Sequence, residues 1–191
     1  WLGYDYGNNC KGIHINIMIV RDKNGPQNTE EKLWQNNFKI EQTLEEGYRT
    51  LQATKPQTLG VAMVDNPVGI AAWILEKFYG WTDLRKKKLM EVYDYDDLIN
   101  NIMLYIVTNS FNSASWIYYG RRMEGGRVIN ADGKRIEVPT ACAIFPKELL
   151  SWPPKTYVDR LYNVVQWNEF SSGGHFPALE EPEIGMSNGY Q

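Results

Sequence analysis

Near one end of the chain stands Ser171-Ser172-Gly173-Gly174-His175-Phe176-Pro177-Ala178-Leu179, shortly after the apolar run 162–167. An apolar run this short is typical of a buried strand. The two glycines allow the backbone to turn sharply, and histidine exchanges protons near neutral pH because its unperturbed pKa is about 6.5. Since α/β sheets bind ligands beyond the carboxyl ends of their strands, His175 is a candidate catalytic residue.

Two further strands are predicted outward from this turn. Residues 138–145 form a compact apolar run, and the connection from there to 162 is long enough for a parallel pair. Residues 12–18 alternate apolar and polar side chains and are rich in Ile, as in a strand. Helical patterns fill the chain between these strands, so we expect an α/β fold with a helical block inserted over the strand ends.

The helical block carries clear start and stop signals. A first helix is expected over 30–46, capped by Thr29 and ended by Gly47. Asn66-Pro67 is a strong helix start, and the helix that follows to about 78 is apolar nearly all round, which predicts that it is well buried and closed by Gly80. A further helical stretch is expected from Asp94 or Asp96 to 119, with a break near 109–112 and a stop at Gly120, whereas 54–60 is too punctuated for one regular element.

Composition limits the classes of partner. The 191 residues suit one large or two small domains, 43% of them are hydrophobic, and the net charge is −3. Arg85-Lys86-Lys87-Lys88 is the longest basic run and is typical of a solvated surface, so no nucleic-acid partner is expected. Cys10 and Cys142 match no metal-ligand spacing and are expected as buried thiols rather than a disulfide. The apolar runs are shorter than the ~20 residues of a membrane span, and no signal peptide is visible.

Glu148 is the candidate partner of His175. It follows the strand 138–145 much as His175 follows the strand 162–167, and the loops after adjacent parallel strands meet at one sheet edge. A carboxylate beside an imidazole fixes its tautomer and stabilises the imidazolium, as in a nucleophile–His–acid triad. Two alternatives stay open: Glu148 as a carboxylate at a helix start, and Glu169 as the partner. His14 lies within a strand pattern and is expected to be structural.

Two longer segments carry a family resemblance. Gly47-Tyr48-Arg49-Thr50-Leu51-Gln52-Ala53-Thr54-Lys55-Pro56-Gln57-Thr58-Leu59-Gly60, followed by Asp65-Asn66-Pro67-Val68-Gly69-Ile70-Ala71-Ala72-Trp73-Ile74-Leu75-Glu76-Lys77-Phe78, closely resembles the epoxide hydrolases of the microsomal type. Val138-Pro139-Thr140-Ala141 and residues 173–180 continue this resemblance, which extends from about 11 to 183. The Gln-Ala-Thr-Lys-Pro segment makes it specific, because a generic α/β-hydrolase shares only the histidine turn.

The resemblance implies a partial α/β-hydrolase fold, with the last core strands and a helical cap inserted between them. On this basis residues 1–20 are expected to be a core segment, 21–133 the cap, and 134–191 the C-terminal core strands with the acid and histidine loops. Residues 184–189 replace a final packing helix with Gly, Ser and Asn, which predicts a frayed tail.

The resemblance also implies a reaction. In this family an Asp carboxylate attacks an epoxide carbon, and a His-activated water then hydrolyses the alkyl-enzyme ester. By resemblance His175 is the base, Glu148 orients it, and Tyr48 and Tyr118 donate hydrogen bonds to the epoxide oxygen, with Tyr119 as the alternative to Tyr118. A phenol suits this role because its pKa near 10 keeps it neutral. The ordinary alternative for each tyrosine is packing.

The implied partners are a small-molecule epoxide and water, with no cofactor, no metal and no nucleic acid, whereas membrane attachment and oligomeric state are not predicted. The family's nucleophile turn is expected upstream of residue 1, so the chain, which begins at Trp1, is expected to be a C-terminal portion, and Asp5 is not assigned as the nucleophile. Two alternatives remain: another α/β-hydrolase, such as a haloalkane dehalogenase or an esterase, or a non-catalytic product that keeps only the cap cleft.

Overall fold

The computed structural model describes residues 1–126, 130 and 132–183, which include three strands and ten α-helices. The predicted tail at 184–189 lies outside this range. The strands are β1 (Ile13–Ile15), β2 (Ile136–Ile144) and β3 (Tyr162–Glu169). The helices are α1 (Leu2–Asp5), α2 (Thr29–Glu45), α3 (Gly47–Thr54), α4 (Pro56–Met63), α5 (Pro67–Trp81), α6 (Leu89–Val92), α7 (Tyr95–Val107), α8 (Phe111–Met123), α9 (Lys155–Asp159) and α10 (Pro177–Glu180).

The strands form one parallel sheet in the order β1-β2-β3. His14 pairs with Ala141, and Cys142 pairs with Trp167. The α/β class, the β2 and β3 strands and their parallel pairing are therefore confirmed. β1 is shorter than the predicted 12–18 because it pairs with only three residues of β2. The β2–β3 register shifts next to Pro139, which lacks an N–H group for the ladder.

The residues divide into two compact units. The first unit contains Trp1–Gln42 and the described residues from 130 onward, and the second is Thr43–Arg127. The core of the first unit surrounds β2, where Cys142 is almost completely buried with Tyr157 and Val158 of α9 and Trp34 of α2. Both cysteines are free thiols, Cys142 buried and Cys10 half-buried. The bounds of the inserted cap stay a prediction.

The start of α2 differs from its prediction. Asn28, not Thr29, caps the helix, because the Asn28 Oδ1 accepts a hydrogen bond of 2.8 Å from the Glu31 N–H. Gly47 does not end α2 but begins α3. Lys55 then separates α3 from α4, since Pro56 disfavours helical geometry in the residue before it. The segment 54–60, which was predicted not to form one regular element, accordingly contains the junction between α3 and α4.

The second unit has its own core, formed by Leu59, Ile70, Ile102 and Phe111. Asn66 caps α5 as predicted, accepting a 2.9 Å hydrogen bond from the Gly69 N–H. The predicted helix stops at Gly80 and Gly120 are wrong, because α5 continues to Trp81 and α8 to Met123.

The predicted burial of α5 is also wrong. Of its 15 residues only Ile70, Phe78 and Trp81 are buried, and Val68 is 76% exposed. None of the described helices is by itself long and apolar enough to cross a membrane, although α4 and α5, bent by 119°, together meet that criterion of length and composition.

Candidate active site

Backbone hydrogen bonds join the loops that follow β2 and β3. The Phe170 N–H donates to the Ile144 carbonyl at 2.9 Å, and the Lys147 N–H donates to the Gly173 carbonyl at 3.1 Å. Lys147 and Gly174 extend this contact as a parallel bridge. The two loops are therefore held side by side beyond the carboxyl ends of adjacent strands.

This arrangement brings Glu148 and His175 together. The Glu148 Oε1 lies 2.6 Å from the His175 Nδ1, and the same oxygen accepts a 2.9 Å hydrogen bond from the Leu149 N–H. The Glu148 side chain is 1% exposed and that of His175 is 23% exposed. A buried carboxylate accepts but does not donate, so this contact favours the tautomer with the proton on Nδ1 and the lone pair on Nε2.

The second carboxylate oxygen of Glu148 is also informative. The Oε2 atom is buried and has no hydrogen-bond partner among the described residues. An ionised carboxylate in such surroundings depends strongly on the groups that do contact it. A protonated imidazole at His175 would place a positive charge beside the Glu148 carboxylate. This pairing is what an acid needs in order to stabilise an imidazolium.

The surroundings of Glu148 and Glu169 bear on the two alternatives for the acid. No helix begins at Glu148, because residues 145–154 contain none, and the helix-start interpretation is wrong. Glu169, the rival partner, is exposed at the end of β3 and accepts a 2.9 Å hydrogen bond from the Trp167 Nε1. His14 is exposed on β1.

Gly173 shapes the histidine loop. Its φ is +102°, and a Cβ at this position would lie 2.6 Å from the Phe145 Cδ1. The Phe145 ring stacks on Phe170, with 4.8 Å between centroids. Because only glycine meets both the conformational and the steric requirement, Gly173 lets the chain pass over this stack before His175.

Two residues of α2 form hydrogen bonds with the loop that carries Glu148, and sequence reasoning missed both. Glu41 accepts hydrogen bonds from the Ser151 N–H, at 2.7 Å, and from its hydroxyl. The Trp34 Nε1 donates to the Ser151 carbonyl at 2.9 Å. Glu41 and Ser151 are 110 positions apart, so no local pattern connects them.

The second unit contains the tyrosine pair. Tyr48 lies on α3 and Tyr118 on α8, with ring centroids 6.0 Å apart and an edge-to-face angle of 81°. Burial, followed by the proximity of Tyr118, raises the pKa of Tyr48 to about 12. The Tyr119 ring instead contacts Trp116, at 5.2 Å. The structure thus brings Tyr118, rather than Tyr119, to Tyr48.

Aromatic and charged groups surround Tyr48. Trp81 lies 5.4 Å from it between ring centroids, and the Lys77 Nζ lies 4.4 Å from the Tyr48 centroid. The Trp81 Nε1 donates to Glu45 at 2.9 Å, which fixes the indole. Sequence reasoning missed Trp81 and Lys77, although both lie in or next to the segment that carries the resemblance.

Asp5 is an exposed residue at the end of α1. Within the described part of the chain, no three His, Cys, Asp or Glu side chains are grouped as a metal site requires.

The chain is similar to several proteins described as epoxide hydrolases. It is 41% identical to juvenile hormone epoxide hydrolase 1 of Ctenocephalides felis over 145 residues, which are 73% of the chain and 31% of that protein. It is 38% identical to epoxide hydrolase 1 of Sus scrofa, again over 73% of the chain and 32% of that protein. The juvenile hormone epoxide hydrolase structure from the silkworm Bombyx mori matches with a TM-score of 0.80 and 27% identity, over 97% of the chain and 49% of that structure. No family model matches.

These matches bear on the family and the fold, and they cover only part of each relative. The predicted resemblance and the partial α/β-hydrolase fold are confirmed. The chain spans about a third of the length of the curated relatives and about half of the silkworm structure.

Proposed function

We propose that this chain, which is homologous to part of the microsomal and juvenile-hormone epoxide hydrolases, contributes to the hydrolysis of an epoxide to a vicinal diol. The observation that carries the proposal is the 2.6 Å contact between the Glu148 Oε1 and the His175 Nδ1. This contact supports the assignment of His175 as the base and of Glu148 as the acid that orients it, on loops that follow adjacent strands of the parallel sheet.

In the proposed reaction, a carboxylate of the protein attacks an epoxide carbon and the ring C–O bond breaks, giving an alkyl-enzyme ester. His175 then takes a proton from water at Nε2, and the resulting hydroxide adds to the ester carbonyl. The oxygen freed by ring opening takes a proton from a hydrogen-bond donor of the protein, and collapse of the adduct breaks the acyl C–O bond, so that the second diol oxygen leaves and is protonated. The two protons of the water thereby end on the diol, and the carboxylate, the imidazole and the donor are regenerated. Glu148 stabilises the imidazolium formed in this step.

Tyr48 and Tyr118 are the proposed donors to the epoxide oxygen. The raised pKa of Tyr48 supports this role, because the phenol stays protonated at neutral pH and can donate when negative charge develops on the oxygen. The edge-to-face contact of the two rings supports Tyr118 over Tyr119 as the second donor. The attacking carboxylate is proposed to belong to a turn that is not among residues 1–191, and Asp5 is not assigned to it.

Diol formation tests the proposal. The 191-residue chain and longer products of its reading frame are assayed with aryl and alkyl epoxides, and the shortest product that forms diol is referred to below as the active polypeptide. We expect diol from a product that includes a further carboxylate turn, and epoxide binding without turnover by the 191-residue chain. Halide release from haloalkanes or ester cleavage without diol formation, or no turnover by any product, would contradict the proposal.

A further inference from the structure

The segment 52–60 includes the residues that make the family resemblance specific, but it contains none of the proposed catalytic residues. Gln52 lies four positions after Tyr48 on α3, so the two side chains lie on the same side of the helix. Ser115 likewise lies three positions before Tyr118 on α8. The segment and α8 meet at buried positions one turn away from the tyrosine pair.

The contact between these helices is polar and buried. The Ser115 hydroxyl lies 3.1 Å from the Gln52 Oε1 and 3.0 Å from the Phe111 carbonyl. Ser115 is 0% exposed and Gln52 is 6% exposed. A buried hydrogen bond of this kind holds two elements in one register, because sliding either helix leaves a polar atom unsatisfied.

A second contact fixes the same face of α8. A Cβ at Gly60 would lie 2.2 Å from the Asn112 Oδ1 and 2.9 Å from the Asn112 Cβ. Asn112 and Ser115 are three positions apart and therefore neighbours on α8. Gly60 thus permits α4 to approach α8 closely, next to the point where Gln52 binds it.

We propose that Gln52 and Ser115, together with the close approach at Gly60, are positioning residues that set the spacing of Tyr48 and Tyr118. The two phenols stand on different helices, and one buried hydrogen bond next to both rings fixes their separation. This inference rests on the proposed function for its catalytic consequence, whereas the spacing of the rings is measurable without any substrate.

The substrate-free test uses nuclear Overhauser contacts between selectively labelled tyrosine rings of the 191-residue chain. The rings of Tyr48 and Tyr118 are close enough for such a contact, which Tyr48→Phe identifies by its loss. Ser115→Ala and Gln52→Met each remove one side of the hydrogen bond without adding bulk, and we expect both to weaken or abolish the ring contact. Their double variant should add little to either single change.

Thr82→Val is the matched control. It removes the buried 2.8 Å hydrogen bond between Thr82 and Tyr93 in the same unit, and should lower the melting temperature comparably while keeping the Tyr48–Tyr118 ring contact. With epoxide and the active polypeptide, we expect kcat to fall roughly 10- to 100-fold in Ser115→Ala and Gln52→Met, with KM nearly unchanged, and to be retained in Thr82→Val.

Ring contacts retained in both Ser115→Ala and Gln52→Met would overturn the inference, and so would equal loss in Thr82→Val. If the ring contact behaves as expected but no protein product forms diol, the positioning role of these residues stands and the proposed function fails. The two claims are thereby separable.

Discussion

The Glu148 Oε1 lies 2.6 Å from the His175 Nδ1, although the two residues are 27 positions apart in the chain. Their loops follow adjacent parallel strands and are joined by the hydrogen bond from the Lys147 N–H to the Gly173 carbonyl. The pair is therefore a product of sheet topology, and its members can be tested separately.

Glu148→Gln should lower kcat by about 100-fold or more. The amide can donate to Nδ1, which favours the tautomer with the proton on Nε2, the atom that must accept a proton from water. Steady-state diol formation by the active polypeptide measures the effect. Glu169→Gln, a change in the exposed carboxylate at the end of β3, is the control and should leave kcat close to its original value.

Tyr48→Phe and Tyr118→Phe should each lower kcat roughly 10- to 1,000-fold, since each removes one donor to the developing oxyanion. Tyr119→Phe should have little effect, because the Tyr119 ring packs against Trp116. Each of the three variants removes one phenolic hydroxyl and leaves the ring in place, so their effects can be compared directly. A larger loss in Tyr119→Phe than in Tyr118→Phe would reverse the assignment of the second donor.

Gly173→Ala should destabilise the protein by about 2–4 kcal/mol, because it adds a steric conflict with Phe145 to an unfavourable positive φ. Gly25→Ala is the matched control: its φ is +67°, and no atom lies within 4 Å of the added Cβ. It should cost only about 1 kcal/mol. Urea unfolding gives both values, and equal costs would argue against the Phe145 contact.

Acid should destabilise the first unit through Glu31. Its carboxylate is fully buried and binds the Arg160 guanidinium at 2.8 and 2.9 Å, which is the main reason that its pKa falls from 4.5 to about 2. The folded-state pKa is below the unfolded value. The stabilisation of roughly 3 kcal/mol is therefore complete above pH 4.5 and lost as the pH falls towards 2.

The check is urea unfolding between pH 7 and pH 3. Glu31→Gln should be less stable at pH 7 and should lose less stability on acidification than the original protein. Glu30→Gln changes the exposed neighbouring carboxylate and should retain the original pH dependence. An unchanged acid slope in Glu31→Gln would show that another group controls it.

Local sequence signals predicted the elements whose cause is local. The apolar runs of β2 and β3 and the Asn66-Pro67 start of α5 depend on short-range periodicity and capping, and the structure agrees with them. The helix stops at Gly80 and Gly120 were wrong, because packing and continued backbone hydrogen bonding outweigh the modest helix propensity of glycine.

The site was predictable to the extent that topology follows from sequence. Two strands joined by a long connection already place Glu148 and His175 on neighbouring loops. The contact of Glu41 with Ser151 spans 110 positions, and that of Gln52 with Ser115 spans 63, so neither has a sequence signature. The choice of Tyr118 over Tyr119 likewise depends on which ring α8 turns towards α3.

Accumulation of the covalent intermediate in His175→Gln is the most direct test of the proposed mechanism. The active polypeptide and this variant are mixed with epoxide, quenched in acid and weighed intact by mass spectrometry. Loss of the base blocks ester hydrolysis but not ester formation, so the variant should gain the mass of one epoxide per polypeptide and form no diol. A variant that gains no mass and turns over epoxide at the original rate would contradict the assignment of His175 as the base.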